Sequence, residues 1–166
     1  MLANASANEA KDELWAIYAW WSCVLVLKMM SLTWFTGQIR MKRQVIHSEE
    51  DKIWMLKPDV ILCPTGDGHP DVMRIRSAHR KDLETILPFL VFSPLWLNVE
   101  TCTSTVKILI PSFSLSSILY TILHMHLLQM SPSYKTVLST TMYLILTYIC
   151  SIATVRYIFI IAEYNL

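Results

Sequence analysis

The sequence predicts an all-α integral membrane protein, a bundle of four helices. Three observations predict it. Charged residues make up 16% of the chain, against about 25% in an average soluble domain. Mean hydropathy is positive, at +0.40. Four apolar segments stand out, separated by short connections around 98–103 and 130–136 and by one long connection over 37–70. The whole of 1–166 reads as a single membrane domain.

The first helix is expected over about 14–36, "LWAIYAWWSCVLVLKMMSLTWFT". At ~1.5 Å per residue it is long enough to cross a ~30 Å hydrocarbon layer. It does not read as a cleaved signal peptide, because its start is acidic and no small-x-small site follows it. The second helix, about 71–97, joins a charged half to the apolar "ILPFLVFSPLWL", with Asp71 expected as its N-cap. The third, about 104–129, contains Pro111, and the fourth runs over about 134–162. In the long connection, "KPDVILCPTGDGHPD" reads as a loop. Its TGDG lacks the spacing and the lysine of a phosphate-binding loop.

Nine of the fourteen basic residues lie between 40 and 81: Arg40, Lys42, Arg43, Lys52, Lys57, Arg74, Arg76, Arg80 and Lys81. The positive-inside rule puts this side in the cytoplasm and both termini opposite. A net charge of +1 gives no basic field that would suggest nucleic acid as a partner. Cys23, Cys63, Cys102 and Cys150 are widely spaced and read as free thiols. His124 and His126 alternate on a helix and so point to different sides, which does not suit a shared metal, and no metal is expected.

Ionisable groups at membrane depth are costly and normally face a bundle interior or an interface. Lys28 therefore reads either as one half of an interior ion pair or as the wall of an anionic-ligand site. Arg156, near the end of the fourth helix, is expected to snorkel to the headgroups. In the second helix Arg76, Arg80 and Glu84 are spaced i, i+4, i+8 and form one stripe, with His79 beside it and Asp82 within a turn of His79. This stripe fits an interfacial collar of salt bridges. The alternative is a site for a small ligand whose carboxylates meet the arginines and whose amine meets Glu84. Arg40 lies at the same edge.

The stretch "RIRSAHRKDLETILPFL" resembles the second-helix signature of the membrane-associated proteins in eicosanoid and glutathione metabolism, the MAPEG family. "KMMSLTWFTGQIRMKRQ" and "SEED" resemble further stretches of that family. The likeness is strong over about 20–97 and extends to the four-helix layout. It implies a homotrimer in the endoplasmic reticulum (microsomal) membrane, with the mitochondrial outer membrane as a second location. It also implies glutathione as co-substrate, held between subunits near the cytoplasmic side, and a detoxifying role. Carried over by position, Arg40, Arg76, His79, Arg80, Lys81 and Glu84 match residues that bind glutathione or shape its pocket. Asp51 matches a carboxylate of the family's acidic stretch.

The second half departs from the pattern. Ser117 stands where the family has an arginine, Tyr120 where it has a histidine, and His124 where it has a tyrosine. Ser77 and Lys81 replace an arginine and an asparagine. The fourth-helix arginine is matched only by Lys135, with a small insertion, or by Tyr134. The resemblance thus assigns Lys135, with Tyr120 or His124, to the sulfur, where positive charge and hydrogen bonds favour thiolate over thiol. The activity it implies is glutathione transfer to hydrophobic electrophiles, together with reduction of lipid hydroperoxides. The alternatives are a glutathione-dependent isomerase of the prostaglandin E synthase kind and a member weakened in catalysis.

Overall fold

The computed structural model describes residues 2–46, 49–54, 61–63, 69–99, 102–125 and 132–164. Four helices dominate: α1 (Leu2–Arg43), α2 (Pro70–Val99), α3 (Thr103–His124) and α4 (Pro132–Tyr164). Two short strands, β1 (Val45–Ile46) and β2 (Ile61–Leu62), pair in parallel with Val45 opposite Ile61. A 3₁₀ helix, Glu49–Trp54, lies between them.

α1 outruns the apolar segment at both ends. The segment from Leu2 to Glu13 is rich in alanine, the best helix former. At the other end, Arg40, Lys42 and Arg43 occupy the last turn, where cations meet the negative end of the helix dipole. Its 42 residues span roughly 60 Å at 1.5 Å per residue, about twice the hydrocarbon thickness. The stop is Gln44, with φ 54°, the left-handed turn that ends many helices. Residues 37–43, expected in the loop, are therefore helical. Val45 and Ile46 then turn inward and are buried.

α2 begins one residue earlier than expected, and Asp71 is not its cap. His69 takes that place: its Nδ1 accepts from the Asp71 backbone N–H at 3.2 Å, and its carbonyl accepts from Met73 N–H at 3.1 Å. Pro70 suits the first helical position, where its missing N–H costs nothing. Asp71 instead pairs with Arg43 at 2.8 Å, tying the start of α2 to the end of α1. α3 ends at His124, short of the expected 129; residues 126–130, with His126, lie outside the described residues, as does TGDG.

The helices pack in the cyclic order α1–α2–α4–α3. Trp96, Phe89, Phe113, Leu25, Ile110 and Ile149 fill the centre. Phe89 and Phe113 stack across it with ring centroids 4.0 Å apart. Pro94 has no N–H, so the Leu90 carbonyl one turn earlier loses its helical donor. Tyr18 Oη on α1 donates to that carbonyl at 2.9 Å. Such repair is what allows a proline inside a helix where water is scarce.

Among the described residues, three helical spans are long and apolar enough to cross a membrane: Glu9–Arg43, Thr103–His124 and Ser133–Tyr164. Trp20, Trp34, Leu144 and Phe159 point outward from them. An apolar outer surface around an apolar core marks a multi-pass membrane protein. α2, with its charged first half, lies against α1 and α4.

Candidate functional site

α1 and α2 run antiparallel, and each turns one stripe toward the other. Thr33, Thr36, Gly37 and Arg40 on α1 face Arg76, His79, Arg80 and Leu83 on α2. Together they line a groove of about 440 Å³. Four of the residues singled out in the sequence, Arg40, Arg76, His79 and Arg80, thus meet in one place. Glu84 stands at its edge, 3.3 Å from Arg80 Nε. Both partners are well exposed, so the pair adds little stability and can be exchanged for another partner.

A second groove, of about 470 Å³, adjoins the first and shares Thr33 and Gly37 with it. Its other walls are Met30, Trp34, Gln38 and Met41. A cationic groove and a mainly apolar one therefore meet along a single face of α1. Gly37 lies on their common line, and a methyl group added there would meet nothing within 4 Å.

Behind the groove lies a buried polar knot. Lys28 Nζ donates to Asp82 Oδ1, to the Ser117 carbonyl and to Ser117 Oγ, each at 2.8 Å. All three protons of the ammonium are thereby used. Lys28 is the interior ion pair that holds α1, α2 and α3 together, and not a wall of the cationic groove. Ser117, where the family resemblance expects an arginine, is wholly buried and completes this knot. Sequence reasoning missed the partnership of Asp82 with Lys28. The available signal was that an acid and a base both stood in segments otherwise built for lipid.

The other expected site residues lie elsewhere. Lys81 turns to α4: its Nζ donates to Tyr143 Oη at 2.8 Å and sits 4.1 Å from that ring's centroid. Tyr120 and His124 stack on α3, with ring centroids 5.6 Å apart. His124 Nε2 is 2.7 Å from Ser77 Oγ, which ties the end of α3 to α2. Lys135, half-buried, and Tyr134, exposed, occupy the first turns of α4 and are not among the residues that line the groove. Asp51 falls in the 3₁₀ helix, and its side chain lies outside the described residues. Arg156 is exposed on α4.

Fold and groove together define a multi-pass helical membrane protein with a cationic cleft beside an apolar one. The sequence matches the MAPEG family over residues 18–155, and the chain belongs to that family. It is similar to the prostaglandin E synthases of Rattus norvegicus and Mus musculus, each 41% identical over 69 residues, and of Homo sapiens, 39% identical over 69 residues. Each match takes in 42% of this chain and 42% of the relative, so it spans less than half the length of those proteins.

Proposed function

We propose that the protein is a glutathione transferase of the membrane, joining the thiol of glutathione to hydrophobic electrophiles and reducing lipid hydroperoxides. The observation that carries this reading is the convergence of Arg40, Arg76 and Arg80 in one groove directly beside the apolar groove of Met30, Trp34 and Met41. Glutathione has two carboxylates, one ammonium and one thiol. Guanidinium groups take carboxylates in paired hydrogen bonds, and Glu84 is the acid at hand for the ammonium. The second substrate is apolar and arrives through lipid, which suits the second groove. Sharing Thr33 and Gly37, the two ligands would lie side by side, so that binding supplies proximity.

Lys135, Tyr120 and His124 remain the residues proposed to act on the sulfur. Since they lie outside the groove of a single subunit, this role calls for a homotrimer in which a neighbouring copy closes the groove. The proposed setting is the cytoplasmic face of the endoplasmic reticulum membrane.

A second reading is a glutathione-dependent isomerase. The similarity to prostaglandin E synthases favours it, and the same groove would serve. The test is direct. Purified protein in lipid nanodiscs is assayed with glutathione and 1-chloro-2,4-dinitrobenzene, with a lipid hydroperoxide, and with prostaglandin H2. Conjugation supports the transferase. Turnover of prostaglandin H2 alone supports the isomerase. Binding of glutathione with no turnover on any substrate rejects both in favour of a member weakened in catalysis.

A further inference from the structure

α1 and α3 enclose a further cavity, on a different face of α1 from the arginine groove. Leu32 and Phe35 on α1 line it with Thr121, Ile122 and Met125 on α3, and its volume is about 260 Å³. An apolar cavity of about 150 Å³ already admits benzene. Lys28 reaches this cavity too, but its three protons are spent on Asp82 and Ser117, so it offers no free charge there. Ser31 and Phe35 are exposed, and the cavity opens outward between them and α3. Both walls belong to helical spans long and apolar enough to cross a membrane, so the medium at the opening is lipid.

A cation stands in line with this opening. Lys28, Phe35 and Lys42 are spaced seven residues apart along α1. Seven residues are close to two helical turns, so the three share a face. Lys42 therefore stands about 10 Å beyond Phe35, on the side of the cavity. It lies past the end of the apolar segment at Thr36, at the level of the headgroups. Helical side chains lean toward the N-terminus, which turns Lys42 back toward the cavity. Lys42 is exposed and makes no ion pair among the described residues, whereas its neighbour Arg43 is held by Asp71. Thr121 adds a polar group to the wall. It is 6% exposed, and its hydroxyl has no hydrogen-bond partner among the described residues. The Ser117 carbonyl one turn back, the usual acceptor for a helical threonine, is taken by Lys28.

We propose that this face binds one glycerophospholipid, with an acyl chain in the cavity between α1 and α3 and the phosphate on Lys42. The chain carries the apolar surface that the walls take, and the phosphate carries the charge that an unpaired ammonium at the headgroups takes. An ester carbonyl at the head of the chain is the acceptor that the Thr121 hydroxyl lacks. A free phosphate would engage Lys42 and leave the cavity unfilled, and a neutral hydrocarbon would do the reverse. Their alignment on one face selects a molecule with both parts. The site is independent of the proposed function, since the cavity and the arginine groove share no residue.

The experiment is methionine-methyl NMR of the purified full-length protein in detergent micelles, titrated with phosphatidylglycerol that carries a spin label in one acyl chain. Met125 lines the cavity, while Met30 is exposed on another face of α1. Met125→Leu and Met30→Leu assign the two signals. At one equivalent of lipid the Met125 signal should broaden and the Met30 signal should not. Equal broadening of both would mean ordinary boundary lipid and overturns the proposal. Ser31→Trp plugs the opening from an exposed position and should abolish the effect on Met125; broadening that persists in this variant contradicts the cavity as the site. Lys42→Gln should weaken the titration about fivefold, the worth of one lysine at an anionic surface. A spin-labelled fatty acid methyl ester, which lacks the phosphate, should bind more weakly than the phospholipid, and equal binding removes Lys42 from the site. Inorganic phosphate should not displace the lipid. Displacement would make this an anion site alone and overturn the proposal.

Discussion

Lys28 Nζ lies 2.8 Å from Asp82 Oδ1, across the interface of α1 and α2, with both side chains almost wholly removed from the surface. Ser117 contributes two more oxygens from α3, so one ammonium joins three helices. The charge that was hardest to reconcile with lipid is the one with the fullest set of partners.

Asp82→Ala should therefore cost about 3–5 kcal/mol, because it strands a buried ammonium. Replacing both partners, as Lys28→Met with Asp82→Leu, should recover most of that loss. Thermal unfolding in detergent micelles checks both, and equal destabilisation of the single and double variants would contradict the account.

Ser77 and His124 form a lesser tie. Ser77 Oγ also lies 2.8 Å from the Arg74 carbonyl, so the hydroxyl bridges α3 to the backbone of α2. Ser77→Ala should cost roughly 1 kcal/mol, the net worth of an ordinary hydrogen bond. Proteolysis at the end of α3 should become faster. A protease-resistant Ser77→Ala protein would show that other contacts hold this corner.

Gly37→Ala separates folding from function. The added methyl group meets nothing within 4 Å among the described residues, and alanine in a helix interior is favoured over glycine by about 1 kcal/mol. The variant should fold at least as stably as the parent. Its glutathione turnover should nevertheless fall, because Gly37 lies where the two ligand grooves join. Full turnover would mean that nothing packs against this line.

Lys135→Ala should reduce the rate while leaving glutathione affinity within about twofold, if the lysine acts on the sulfur; a tenfold loss corresponds to about 1.4 kcal/mol. Steady-state kinetics beside equilibrium binding distinguish the two effects. A full rate would remove Lys135 from the chemistry.

Much of the groove could be read along the chain. Arg76, His79 and Arg80 share a face by helical spacing, and Arg40 stood at the matching edge of the preceding helix. Spacing within one helix fixes which side chains are neighbours on it. It does not fix which helix lies opposite. Lys81 is the instructive case: it adjoins Arg80 in sequence yet meets Tyr143, because α4 packs against that face of α2. The Lys28–Asp82–Ser117 knot was hidden for the same reason, since its members are separated by 54 and 89 positions. The ends of α1 escaped an apolar-segment reading because they are helical by propensity and charge and not by hydrophobicity. His69 as a cap was masked by the more usual Asp71 two residues on.

The central claim is that the arginine groove holds glutathione. It is tested most directly by calorimetric titration of glutathione into the purified protein, wild type against Arg40→Ala with Arg80→Ala. Each charge-assisted hydrogen bond is worth about 1.5–3 kcal/mol, so the paired substitution should weaken binding by at least a hundredfold. Saturable binding in the wild type that collapses in the double variant is the predicted result. Equal affinity in the two proteins would contradict the account.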